Sequence, residues 1–74
     1  MSKLKYEKYF YRSGELMWET WRLDGKLHNE EGPATISYEK DGSVRLKEWR
    51  LNGVDYTEEE WKDILFRKAF EGYL

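Results

Sequence analysis

His28 is the only histidine of the chain, and histidine is the side chain best suited to proton transfer near neutral pH. Glu30 and Glu31 follow it closely, and Ser37 could lie near it in the folded chain. A general base needs an orienting carboxylate and a nucleophile within reach, but these residues have no recognisable catalytic spacing. They also lack the ligand spacing of a hard-cation site. We therefore expect His28 to be structural, bracing the turn before Pro33, and we expect no catalytic, cofactor-binding or metal-binding residue.

A second pattern that could have a function consists of basic residues that lie near aromatic residues in the sequence. They are Arg12, Arg22, Arg45, Lys47 and Arg50. Such a pattern can bind single-stranded nucleic acid through phosphate contacts and base stacking. However, Glu19, Glu39 and Glu48 lie in the same segments and can pair with these cations across neighbouring strands. A mixed, solvated face is favoured, and a nucleic-acid-binding module remains the alternative.

Acidic residues cluster where the last segment of the chain begins, namely Glu58, Glu59, Glu60 and Asp63. Thr57 and Glu60 have the spacing of a capping box, in which each side chain bonds the other's backbone amide. Acids in a first turn also offset the helix dipole. The pattern predicts a helix over about 58–71, ending near Gly72. The carboxylates are also candidate contacts for a basic partner.

The predicted helix carries more apolar residues than one face needs. A stripe at helical spacing, Trp61, Ile64, Leu65 and Ala69, should face the rest of the domain. Phe66, Phe70 and Tyr73 extend this stripe well round the helix. Either a curved sheet buries them, or they form an exposed patch of the kind that marks a protein interface. The predicted partner-binding residues are Phe66, Phe70, Tyr73, Glu58, Glu59 and Asp63.

The elements that position these residues come from an internal repeat. Residues 21–25 read Trp-Arg-Leu-Asp-Gly, and residues 49–53, which lie 28 positions further on, read Trp-Arg-Leu-Asn-Gly. The correspondence extends over 14–41 and 42–69. Repeated units commonly bury their apolar faces against each other and offer an outer surface for binding. The chain is therefore predicted to consist of two copies of one unit, with the helix as the cap of the second.

Four glycines, at positions 14, 25, 42 and 53, each follow a small polar residue and predict hairpin turns. The predicted strands span about 4–12, 15–23, 34–40 and 43–51, with short returns at 26–28 and 54–56. Pro33 ends a loop over 29–33, because proline cannot donate to a ladder. A bulge or bend is expected near 19–20 and 47–48, where the apolar pattern changes face. Lysines at positions 3, 5 and 8 are typical of a protected sheet edge.

Residues 21–34 read Trp-Arg-Leu-Asp-Gly-Lys-Leu-His-Asn-Glu-Glu-Gly-Pro-Ala. This phrase resembles a MORN-like repeat, often written W-x-L-N-G-K-L-H-R-E-D-G-P-A, of the type found in small proteins of bacteriophages and large DNA viruses. In the second copy the likeness ends at Gly53, where Val54-Asp55-Tyr56 replaces Lys-Leu-His. The resemblance implies β-hairpins that stack into an elongated sheet, a binding role and no enzymatic activity.

Length and composition limit the remaining choices. The 74 residues form a single domain, 1–74, whose small core must depend on four Trp, six Tyr and three Phe. Thirteen basic and 15 acidic residues give a net charge of −2, which provides no electrostatic footprint for nucleic acid. No cysteine can form a disulfide or a thiolate metal site. No signal sequence or membrane span is recognisable, so a cytoplasmic protein is expected.

These observations predict an α+β fold, with an antiparallel sheet of two repeated hairpins and one C-terminal helix packed on it. The expected function is that of a small non-enzymatic protein-binding module. Following the viral resemblance, we expect a phage-encoded protein that binds and inhibits a host enzyme or defence complex, as anti-CRISPR proteins do. The alternatives are the nucleic-acid-binding module and a structural or oligomerising repeat protein, including a homodimer formed through the helix.

Overall fold

The computed structural model describes residues 3–71, which form six β-strands followed by one α-helix. The strands are β1 (Leu4–Phe10), β2 (Leu16–Leu23), β3 (Lys26–Leu27), β4 (Thr35–Tyr38), β5 (Val44–Leu51) and β6 (Val54–Tyr56), and the helix is α1 (Glu58–Glu71). The antiparallel strands are ordered β1-β2-β4-β5-β6, and β3 pairs with β2. The predicted α+β fold and helix are therefore confirmed. Gly72, the predicted helix end, and Tyr73 lie outside the described residues.

The two tight turns of the repeat have the same conformation. Asp24 and Asn52 both have a φ of 50°, and the glycines that follow them have φ values of 85° and 83°. Two consecutive positive φ angles define a type I′ turn, which asparagine or aspartate followed by glycine adopts most readily. Arg22 Nη1 and Arg50 Nη1 each donate to the glycine carbonyl of their own turn at 3.2 Å. The repeated phrase is thus repeated in three dimensions.

The longer turns between β1 and β2 and between β4 and β5 also match. In each, the first residue donates its N–H to the fifth residue's carbonyl at 2.8 Å, from Tyr11 to Glu15 and from Glu39 to Ser43. A bulge follows each turn, because β2 and β5 gain one residue against their partners at Met17 and Arg45.

The bulges do not lie near 19–20 and 47–48, as the apolar pattern had suggested. Pairing is continuous there on both sides of β2, from Trp18 through Trp21. Those two residues point to opposite faces simply because they are three positions apart in a regular strand. The bulge prediction was wrong in position because a change of face was mistaken for a break in the ladder.

The helix lies on one face of the sheet, here called the packed face. Across the strands, this face carries a row formed by Tyr6, Trp21, Ala34, Trp49 and Tyr56. The opposite, open face carries the neighbouring row of Tyr9, Trp18, Ser37 and Leu46. The helix packs on the β5–β6 end of the sheet. The half of the packed face that belongs to β1 and β2 therefore has no helix over it.

The start of α1 is fixed by the predicted capping box. The Glu60 N–H donates to Thr57 Oγ1 at 3.1 Å, and the Thr57 N–H donates to the Glu60 carboxylate at 2.8 Å. One turn later Trp61 is buried, and its ring lies 4.7 Å from that of Trp49. Beyond it, contact with the sheet weakens, so that Ala69 is exposed instead of facing the sheet as predicted. The helix is held mainly by its first turns.

The domain is long and thin, with dimensions of 51 × 29 × 17 Å. Buried apolar side chains within residues 3–71 are few, namely Ala34, Leu51 and Trp61. Strand β1 pairs only with β2 among these residues, which confirms that the N-terminal lysines lie at a sheet edge. In the same part of the chain, no helix has the length and apolar character needed to cross a membrane.

Candidate functional site

His28 lies at the junction of the two repeats and is 7% exposed. Its Nδ1 accepts a hydrogen bond from the Asn52 backbone N–H at 2.9 Å. Because Nδ1 is an acceptor, the ring proton lies on Nε2, which donates to the Glu30 carboxylate at 3.1 Å. Both ring nitrogens are therefore used within the fold. His28 holds Glu30 of the loop before Pro33, as we predicted, and it also braces the turn of the second copy, which we did not predict.

The Glu30 carboxylate receives this bond together with a contact from the helix. The hydrogen bond from His28 holds the pKa of Glu30 below its usual value, while partial desolvation opposes this effect. Lys68 Nζ of α1 lies 3.4 Å from the same carboxylate and acts in the same direction as His28. Glu30 thus links the first repeat to the helix.

Ser37, the nucleophile considered together with His28, does not lie beside it in the fold. Ser37 lies opposite Trp18 on the open face, whereas His28 lies beside Trp21 on the packed face. Within residues 3–71, no group of three or more histidine and acidic side chains converges on a point that could hold a metal ion. His28 is a buried residue whose two ring nitrogens form hydrogen bonds that connect separate segments of the fold.

Three of the four arginines that suggested nucleic-acid binding lie close to carboxylates. Arg22 Nε lies 4.0 Å from Glu7, and Arg50 Nη2 lies 2.9 Å from the carboxylate of Glu48. Arg45 likewise lies 3.9 Å from a carboxylate, that of Glu39. Cations paired in this way present little net positive charge to a phosphate backbone. The expected mixed face is therefore observed, although Glu19 has a different role from the predicted one.

Glu19 forms a polar cluster with two tyrosines on the packed face. The hydroxyls of Tyr6 and Tyr38 both donate to its carboxylate, so that β1, β2 and β4 are joined by side chains. Hydrogen bonding to Glu19, with a smaller contribution from burial, raises the pKa of Tyr6 and of Tyr38 to about 12. A neutral phenol can donate this bond, whereas a phenolate would be repelled by the carboxylate.

We expect this cluster to be visible in an alkaline titration. The pKa values of these phenols are raised in the folded state, so the cluster stabilises the fold fully below pH 10 and progressively less between pH 10 and about 12. Phenolate absorbance should show Tyr6 and Tyr38 ionising late, and Glu19→Gln should shift that late phase to lower pH. Glu31→Gln, which alters an exposed loop carboxylate, is the control. An unchanged curve for Glu19→Gln would contradict the assignment.

Phe66 and Phe70 are exposed, at 69% and 58% respectively. Their rings are stacked with centroids 6.4 Å apart. The arrangement in which a curved sheet buries them is therefore excluded, because α1 extends past the part of the sheet that it contacts. Tyr73, predicted to belong to the same patch, lies outside the described residues.

The geometry of an α-helix determines which acidic residues lie on the same side of α1 as these phenylalanines. At 100° per residue, Glu59 and Asp63 lie on the same side of α1 as the two rings, opposite to Trp61. We call Glu59, Asp63, Phe66 and Phe70 the outer helix face. Glu58 lies off this face, and its carboxylate is paired with Lys62 at 3.2 Å. The structure thus brings four of the six predicted contact residues together and separates Glu58 from them.

A second apolar surface lies on the uncovered half of the packed face. It is a groove of about 800 Å³ between the β1 edge and the loop over 28–33. Its apolar lining is formed by Leu4, Tyr6, Trp21, Leu23, Pro33 and Ile36. Leu4 is 78% exposed, and the Tyr6 ring packs against Trp21 at 5.0 Å. We had not predicted this groove from the sequence.

A signal for the groove was nevertheless present in the repeat. At the 28-residue offset, Pro33 corresponds to Trp61. In the second copy the indole of Trp61 covers Trp49 and donates its N–H to the Asn29 carbonyl at 2.9 Å. The proline of the first copy is too small to cover Trp21 in the same way. The groove is the space that this difference leaves.

Comparisons with protein-family models, with curated proteins and with solved structures find no match to this chain. The MORN-like resemblance therefore stays a prediction, and function must be argued from the geometry of the chain itself.

Proposed function

We propose that this chain is a small non-enzymatic protein-binding module that contacts its partner through the outer helix face. The observation that carries the proposal is the exposed stack of Phe66 and Phe70 on a helix whose other side is anchored by Trp61. Exposed apolar residues on a rigid element, with polar neighbours, are typical of an interface. Because Trp61 anchors the start of the helix on the sheet, the rings are presented by an element that is already formed, which reduces the ordering entropy lost when a partner binds.

The chemistry of this face indicates what the partner offers. Each phenyl ring can bury a large apolar area in a pocket, and buried aromatic residues supply much of the binding energy of interfaces. Asp63 lies about one turn and Glu59 about two turns before Phe66 on the same face, so a basic rim beside the pocket suits them. The Asp63 carboxylate lies 3.2 Å from Arg67 Nε in an exposed ion pair. To contact a basic group of the partner, Asp63 must give up this ion pair. The partner is therefore a protein with an apolar pocket and a basic margin.

The biological setting of the proposal follows from the MORN-like phrase over residues 21–34 and from the small size of the chain. In this setting the protein is phage-encoded, acts in the host cytoplasm, and inhibits a host enzyme or defence complex by occupying one of its surfaces. No step of catalysis is needed for such an action, because binding alone blocks the partner.

The test compares two substitutions of exposed apolar residues. Phe66→Asp removes a ring from the outer helix face, while Leu46→Asp makes the same kind of change at an exposed position on the open face. Quantitative pull-down from host lysate, followed by titration with the purified partner, should show binding weakened at least about tenfold by Phe66→Asp, which corresponds to 1.4 kcal/mol. Both variants should melt within a few degrees of the unsubstituted protein, since exposed sites contribute little to stability.

Glu59→Ala and Glu58→Ala refine this test. The first removes a carboxylate from the outer helix face and should weaken binding, and the second changes a neighbouring carboxylate that points elsewhere and should not. A partner that binds Phe66→Asp as tightly as the unsubstituted chain would overturn the proposal, as would a partner lost only on Leu46→Asp.

A further inference from the structure

Trp21 and Trp49 are equivalent positions of the two repeats, and the second copy shows how such a tryptophan can be covered. In the second copy, the tryptophan at 49 is packed by an aromatic ring carried on a helix, with a centroid distance of 4.7 Å. In the first copy, Trp21 occupies the equivalent place and has Tyr6 on one side, but Pro33 stands where Trp61 would be. The groove beside Trp21 is therefore shaped for an aromatic side chain presented by a helix.

The chain also carries a helix with uncovered aromatic rings. Phe66 and Phe70 lie on the outer helix face, one turn apart, and nothing within residues 3–71 packs over them. We propose that the groove beside Trp21 binds the outer helix face of a second copy of this chain. This inference rests on the proposed function, because it assigns a specific partner, a second copy of the chain, to the same helix face.

Each copy offers one groove and one outer helix face. Two copies can therefore form a closed two-fold dimer, in which the helix of each copy lies in the groove of the other. Alternatively, association can continue head to tail. In either case the contact joins two different surfaces. This property separates the proposal from simple pairing of two helices through their phenylalanines, where each surface meets its own counterpart.

Sedimentation equilibrium of the full chain, from low micromolar to millimolar concentration, tests the proposal. The unsubstituted chain should self-associate, and Leu4→Glu in the groove and Phe66→Glu on the helix should each raise the dissociation constant at least about tenfold. Leu46→Glu on the open face should leave it unchanged. All three positions are exposed, so each variant is expected to keep its fold, which circular dichroism checks.

Mixing the two defective variants gives the decisive result. An equimolar mixture of Leu4→Glu and Phe66→Glu retains one intact groove and one intact helix face on different chains, so heterodimers should form at concentrations where neither variant associates alone. A chain that is monomeric at millimolar concentration, or a dimer that Leu4→Glu leaves intact, would overturn the inference. The proposed function would survive those outcomes if a host protein were still lost on Phe66→Asp.

Discussion

Replacement of His28 by alanine should lower the free energy of unfolding by about 3 kcal/mol. The Asn52 N–H would lose its acceptor within the fold, and a hydrogen bond of this kind contributes about 0.5–1.5 kcal/mol to stability. Removing the buried imidazole also leaves a cavity, and large-to-small changes in cores cost about 2–5 kcal/mol. A domain of this length has a total stability of roughly 4–11 kcal/mol, so the loss is a large part of the whole.

Urea unfolding followed by tryptophan fluorescence measures this change. Glu31→Ala is the matched control, because it alters an exposed neighbour in the same loop and should change the stability by less than about 0.5 kcal/mol. A His28→Ala variant as stable as the control would show that the junction between the repeats does not depend on this ring.

The effect should be large because few contacts hold the turn at Asn52-Gly53 against the segment over 27–29. Beside the ring, these contacts include the hydrogen bonds from the Gly53 N–H to the Leu27 carbonyl at 2.8 Å and from the Asn29 N–H to the Arg50 carbonyl at 3.2 Å. In a repeat protein the contact between neighbouring units supplies much of the stability. A single histidine therefore has more influence here than it would in a larger core.

The repeat made most of the fold predictable. Asp24-Gly25 and Asn52-Gly53 specify type I′ turns by their backbone preferences alone, and these turns fix the strands on either side. The capping box fixes the helix start in a similarly local way. These features need no knowledge of distant contacts, and for that reason the α+β arrangement and the bounds of α1 could be predicted from the sequence.

The side-chain interactions that sequence reasoning missed depend on contacts between distant residues. The partner of His28 lies 24 positions away at Asn52, and a bond of that kind leaves no periodic signal. Glu19 was expected to pair with a cation, but diagonal neighbours on adjacent strands bring it to Tyr6 and Tyr38.

The exposure of the outer helix face depends on where the sheet ends. The sequence predicts a helix over about 58–71, but it does not indicate how much of this helix the sheet can cover. Since the sheet contacts mainly the first turns of α1, Phe66 and Phe70 lie beyond the edge of the sheet. The same argument explains the groove, because the sheet extends on the β1 side past the last element that could cover it. Both candidate binding surfaces thus result from a helix and a sheet that are offset from each other.

Replacement of Trp61 by alanine should have the largest effect of any change in α1. This residue is 7% exposed, packs on Trp49 and donates its indole N–H to the Asn29 carbonyl. Loss of a buried tryptophan costs about 3–5 kcal/mol. A helix of this length is marginal in isolation, so α1 should also lose helicity when its anchor is removed. Far-ultraviolet circular dichroism and urea unfolding report the two effects separately.

Two further variants divide this effect into its parts. Trp61→Phe keeps a ring on Trp49 but removes the N–H donor, and it should cost about 1 kcal/mol for the lost hydrogen bond, with a smaller change in packing. Phe66→Ala removes an aromatic ring from the exposed side of the same helix and should change stability by less than about 0.5 kcal/mol. If Phe66→Ala were as destabilising as Trp61→Ala, the outer helix face would be part of the core, and it could not serve as the binding surface proposed here.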